Sequence, residues 1–318
     1  MIYKWRHLAA QIFQLQALIL LSRLFFKNGV KRAEQSLSDE QIRDGLFTLN
    51  LMVKSWQKQG LHLWAREEGV LFLDVGKTDY LVGPSGDEAT TLDDFISTTT
   101  TSSEAALSTV IEVTSSAGML ASDNVGIRLD DDTRHWTTIV SVDSTIQITI
   151  TTGIPSVAAL GNSVFTFTNL IERPLRITSF RRKTFAADNE IPVEIWSRAE
   201  YFEQVSKESQ GTVVNAYYSP LLTNGRIYVW QTASSVNDFV RFSFERTLED
   251  FDENSDNPDF PIEWGEPLIW NLSARLGIDY NTPLPKLQLI TLAAFDMLEN
   301  ALGYDQEYES INLQPDFN

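Results

Sequence analysis

Residues 38–83 read SDEQIRDGLFTLNLMVKSWQKQGLHLWAREEGVLFLDVGKTDYLVG, and the change of period inside this stretch sets the fold class. Over 38–60 the apolar residues Ile42, Leu46, Leu49, Val53 and Trp56 recur at helical spacing. One stripe therefore faces inward, and Arg43, Asp44, Lys54 and Lys58 lie on other faces. Ser38 with Gln41 three residues later forms a capping box, and Gly60 supplies a left-handed stop. The period then shortens. Val70, Phe72 and Val75 lead to a Gly76-Lys77 turn and residues 80–82 return, a pattern that predicts a β-hairpin.

Downstream, residues 97–103 are almost all Ser and Thr and read as a polar linker. Five short β-rich runs follow, at 110–113, 125–129, 135–142, 146–150 and 164–167. They are separated by turn signals at Gly118, 130–132, Asp143-Ser144 and Gly161-Asn162. Their spacing predicts a small all-β barrel or sandwich over 97–169, inserted in a loop of a host domain that has helices on both sides. The host resumes with a strand at 175–185 carrying Arg176, Arg181, Arg182 and Lys183, the main basic cluster. Two readings of it stand side by side: a solvated strand face, or a contact with acidic neighbouring subunits.

A helix at 197–205 and strands at 213–218, 226–230 and 239–247 come next, with Asn224-Gly225 marking a hairpin. Two helices close the host. One runs through Leu276 with Leu268 or Ile269, Leu272 and Leu276 inward and Gly277 as its stop. The other spans about 285–302, with Leu287, Ile290, Ala294, Leu298 and Ala301 inward and Gly303 as its stop. The expected layout is thus an α+β chain: 1–96 and 170–304 as a mainly helical core with a small antiparallel sheet, 97–169 as the all-β insert, and 305–318 as an arm without a period of its own.

Composition narrows the function. The 318 residues are 43% apolar, enough for substantial cores, and the formal charge of -18 disfavours a surface that grips nucleic acid. With no cysteine, disulfides and thiolate metal sites are excluded. The run LAAQIFQLQALILLSRLFF at 8–26 approaches the length of a membrane span, yet Gln11, Gln14, Gln16 and Arg23 interrupt it and no small-residue cleavage site follows. It reads as a helix that needs protein neighbours, other subunits among them. Its Ile19, Leu21, Phe25 and Phe26 are the candidate subunit-packing residues.

Chemical motifs are sparse. His7, His62 and His135 fall in separate segments, so neither a triad nor a histidine metal cluster is indicated, and no phosphate loop or dinucleotide fingerprint is present. Asp250, Asp252, Asn254 and Asp256 alternate as in a calcium loop, but Ser255 replaces the required glycine and Pro261 the closing glutamate, so a solvated loop is expected. His135-Trp136 beside 130–132 reads as a tryptophan in a small β core next to a polar turn. The expectation is a chain that is not an enzyme and carries no metal or cofactor. The alternatives are a glycan hydrolase using a carboxylate pair and a membrane-anchored binding protein.

Three blocks carry a resemblance. LFTLNLMVKSWQKQGLHLW at 46–64 resembles the leucine, asparagine, tryptophan and glycine pattern of the head-to-tail adaptor proteins of tailed phages. These are also called tail accessory or packaged-DNA-stabilising proteins. SRAEYFEQVSKESQGTVVNAYYSPLLTNGRIYVW at 197–230 resembles a later arginine, tyrosine, lysine, glycine and tyrosine pattern of such chains, and PIEWGEPLIWNLSARLGIDY at 261–280 their closing proline and tryptophan helix. The blocks occur in the family's order.

The resemblance implies a structural virion protein at the head–tail junction, assembled in the host cytoplasm. It would form a ring, commonly of twelve copies, under the portal protein. The ring would extend the channel for double-stranded DNA without reading its sequence, and would dock tail nozzle, hub or fibre proteins, with no membrane involved. By the same analogy Tyr308, Ile311, Leu313 and Phe317 form a portal-binding arm, and the β insert faces outward toward tail or fibre proteins.

Overall fold

The computed structural model describes residues 17–32, 35–57, 65–187, 189–248, 250–251 and 260–304. In chain order its helices are α1 (Ala17–Asn28), α2 (Asp39–Gln57), α3 (Arg198–Glu203), α4 (Gly265–Asp279) and α5 (Leu284–Tyr304). The chain divides into two units, residues 1–65 with 248–318, and residues 66–247. Together they make an α+β protein: a helical unit, and a β unit holding a mixed sheet and an all-β barrel.

In the helical unit the expected capping box starts α2: Ser38 Oγ accepts from the Gln41 N–H at 3.3 Å, and Gln41 Oε1 accepts from the Ser38 N–H at 3.0 Å. Leu49, Met52, Val53 and Trp56 turn inward from α2, and Leu20, Leu21, Leu24 and Phe25 from α1, onto Leu268, Leu272 and Leu276 of α4. Gly60 lies outside the described residues. Gly277 does not stop α4; the helix runs on to Asp279, and Asn281 takes the left-handed conformation at φ 51°. Glycine is needed at 277 for packing, because a Cβ there would stand 2.7 Å from Leu287 Cδ1 of α5.

In the β unit, β1 (Arg66–Phe72), β2 (Asp79–Val82) and β3 (Ala89–Thr91) join β10 (Arg176–Thr184), β11 (Ile191–Ile195), β13 (Asn215–Pro220), β14 (Gly225–Trp230) and β16 (Asp238–Glu245) in one sheet of order β2-β14-β13-β11-β10-β16-β1-β3. The hairpin expected from residues 70–75 through the Gly76-Lys77 turn to 80–82 does not form. β1 pairs with β16 and β3, while β2 pairs with β14 at the far edge. The sheet's two edges are consecutive in the chain, so the sheet rolls toward closure. Its one parallel pair, β11 with β13, is bridged by the α3 crossover, as parallel neighbours require. The Asn224-Gly225 hairpin is present, and short β12 (Gln210–Gly211) and β15 (Thr232–Ala233) pair separately.

The Ser/Thr run expected as a linker is instead the first strand of the barrel. β4 (Ile96–Thr99) pairs with β9 (Ser163–Phe167), followed in order by β6 (Asn124–Arg128), β7 (Arg134–Ser144), β8 (Gln147–Ile150) and β5 (Val110–Glu112). The Thr100–Val113 bridge and the Thr114 N–H to Thr99 carbonyl bond at 2.8 Å join the last strand to the first. A six-strand barrel results. Threonine suits this place because its branched side chain favours the pleated surface and its hydroxyl finds partners at the seam, such as Thr99 Oγ1 to Thr114 Oγ1 at 2.8 Å.

Barrel and sheet share a core. Phe165 and Phe167 of β9 and Trp136 of β7 stack around Phe72 of β1, with Phe95 and Phe239 closing the cluster. Trp136 thus sits in a β core beside a polar turn, and His135 Nε2 contacts the Thr152 carbonyl at 3.1 Å.

Candidate assembly surfaces

The motif residues of the three blocks are structural ties. Asn50 uses both ends of its amide on one peptide: Nδ2 donates to the Phe251 carbonyl at 3.0 Å, and Oδ1 accepts from the Phe251 N–H at 2.9 Å. Trp56 packs against Trp264 with ring centroids 5.7 Å apart, so the first block grips the third. In the middle block Ser197 and Glu200 form a reciprocal capping box on α3. Tyr201 is buried against Tyr228, and Lys207 caps the Phe202 and Gln204 carbonyls.

The expected site residues that fall among the described ones take definite places. Leu21 and Phe25 are wholly buried in the helical unit's own core, while Ile19 and Phe26 project outward on the other side of α1. In the basic strand, Arg181 pairs with Glu68 and Glu190, and Arg182 lies 3.7 Å from Asp238. Arg241 and Ser243 extend the same network across the sheet through Glu190 and Glu68. Lys183 faces a cavity of about 210 Å³ walled by Phe95, Phe165, Phe185 and Phe239, and Arg176 is exposed. The arm residues Tyr308, Ile311, Leu313 and Phe317 lie outside the described residues, as do 252–259 of the acidic loop.

The acidic turn of the barrel is spent on local bonds. Asp130 accepts from the Ala159 N–H and Asn162 Nδ2, both at 2.9 Å; Asp131 accepts from Thr133 and Ser156; Asp132 pairs with Arg128. Hydrogen bonds from Thr133 hold Asp131 below the usual carboxylate range. Among the described residues no group of three His, Asp or Glu side chains is placed to hold a metal ion. No helix there is long and apolar enough to cross a membrane.

Two features go beyond the expectations drawn from the sequence. Arg134 is enclosed between barrel and sheet, its guanidinium 4.9 Å from the Phe165 ring and 5.5 Å from Phe72, with Nη2 donating to the Val236 carbonyl. Burial pulls its pKa down to about 10 against the opposing pull of Asp74, Tyr80, Glu88 and Asp132. Close by, burial raises both the Tyr80 hydroxyl and the Glu88 carboxyl, with Asp74 and Asp87 adding to the shift.

The second feature is the outer face of α5. Ile290 and Ala294 are buried as expected, but Leu284, Leu289, Leu292 and Phe295 are each more than 60% exposed. Phe47 and Leu51 of α2 and Leu18, Ile19 and Phe26 of α1 are exposed as well, so large apolar side chains face outward on three helices of this unit among the described residues. The signal was present as a second apolar stripe at helical spacing on a helix already given one inward stripe.

Neither a family model nor a curated protein matches the chain.

Proposed function

We propose that the protein is a head-to-tail adaptor of a tailed phage, a structural subunit that closes into a ring under the portal. The observation that carries this reading is the set of large apolar side chains on α1, α2 and α5 that are exposed among the described residues of the helical unit. A face this size on one helix suits one partner, whereas several such faces on one small unit suit a subunit enclosed by copies of itself. The order of the three blocks supports the same reading: Trp56 of the first packs on Trp264 of the third at the start of α4, and Tyr201 of the second builds the α3 aromatic cluster.

A chain of charge -18 repeated around a ring presents DNA with a surface it slides past, because few phosphates find a cation to displace their counterions. In this reading the 305–318 arm contacts portal subunits, the barrel points outward toward tail or fibre proteins, and the protein performs no catalysis. The test is incubation with purified portal rings followed by electron microscopy. The expected image is a second ring stacked coaxially on the portal and lost on deleting 305–318. Full-length protein that leaves portal rings bare at every concentration removes the reading.

A further inference from the structure

The outward face of α1 carries a groove. Ser22, Arg23, Phe26, Lys31 and Arg32 line about 320 Å³, with Ile19 one turn before Ser22 and Arg23 on the same helix. Phe26 is half exposed, and Lys31 Nζ is steadied by Ser22 Oγ at 2.6 Å. No carboxylate among the described residues lies within ion-pair reach of Arg23, Lys31 or Arg32. Among the described residues, then, three cations without a carboxylate partner line a groove with an exposed aromatic ring, in a strongly acidic chain.

The complementary surface is on the same chain. Leu292, Phe295, Asp296 and Glu299 follow one another at helical spacing on the outward face of α5, so apolar side chains and carboxylates share one side. Asp296 and Glu299 have no cation within ion-pair reach among the described residues. Each seam spans about two helical turns and mixes large apolar groups with charge of one sign, the two signs being opposite.

The geometry points to a head-to-tail contact between copies of this chain, in which the α5 seam of one subunit fills the basic, phenylalanine-floored groove on α1 of the next. This rests on the ring reading and supplies its interface. Two α5 seams facing each other would set carboxylate against carboxylate, and two α1 grooves cation against cation, so self-symmetric pairing is disfavoured. A contact between two different patches leaves one of each free on every added copy, which is the requirement for a ring.

Charge reversal on each side tests it. Arg23→Glu with Arg32→Glu, and separately Asp296→Lys with Glu299→Lys, are expected to weaken self-association by about tenfold or more, since like charges then meet. An equimolar mixture of the two variants is expected to restore assembly with the two species alternating, because every mixed contact regains opposite charges. The chain lacks cysteine, so a second readout is open: Arg23→Cys plus Asp296→Cys in one chain is expected to give a ladder of dimers, trimers and higher species with a short bis-maleimide, and each single variant none.

Dimers from Asp296→Cys alone, reversal variants that assemble like the parent, or a mixture that fails to recover with no cross-linked ladder would overturn the interface. If the parent still forms closed oligomers in those cases, the ring reading survives without it. A parent that is monomeric at tens of micromolar, with and without portal, ends both.

Discussion

Asn50 shows how a single side chain can hold a segment that the sequence could not place beside it. Its amide satisfies both polar groups of Phe251, two hundred residues away in the chain, where no local pattern signals the partner. Asn50→Ala strands a partly buried N–H and C=O together and is expected to destabilise the helical unit by about 1 to 3 kcal/mol, read as a lower urea midpoint. Glu88 gives a prediction with a sign. Its pKa is raised on folding, chiefly by burial, so the folded state binds the proton more tightly than the unfolded one. Stability contributed by Glu88 therefore falls as pH rises from the ordinary carboxylate range through the raised value. Glu88→Gln is expected to stabilise the protein at neutral pH and to be nearly silent in acid; equal effects at both pH values would contradict this.

At the scale of elements, the helices were readable because caps and apolar spacing are local. Ser38, Gln41 and the inward residues of α2 and α4 stand where the spacing places them. Pairing of strands is not local. Leu71 and Phe72 sit in a strand buried on both faces, so β1 takes partners on both edges from elsewhere, and the turn at Gly76 joins opposite ends of the sheet rather than a hairpin. The threonine run at the barrel's start departs from expectation for a related reason: polar composition says linker, whereas the closing bridge from Thr100 to Val113 is a long-range fact.

Gly126 is another position whose role only pairing discloses. It sits opposite Trp136 across β6 and β7, and a Cβ there would meet the indole ring at 2.6 Å. Gly126→Val is expected to cost about 1 to 3 kcal/mol by overpacking, measured by denaturant unfolding.

For the whole molecule, the sequence predicts 97–169 as a β domain in a host loop, and the structure gives barrel and sheet one shared aromatic core. Excising 97–169 would bare Phe72 and Phe239, so the remainder is expected to aggregate, and the intact β unit to show one calorimetric transition for barrel and sheet. A soluble, cooperatively folded excision product would contradict that. The candidate surfaces were half legible. The apolar first helix announced a need for neighbours, but which of its residues faced out, and the second stripe on α5, required the packing of α4 to be known. Because the proposed seam joins opposite charges at the surface, assembly is also expected to weaken between low and high salt.

The most direct measurement is the native mass of the purified protein at increasing concentration, alone and with portal protein present. The account predicts a discrete closed oligomer of many copies, with few species between it and the monomer. A single stable monomer mass across the whole range, unchanged by portal, would contradict it.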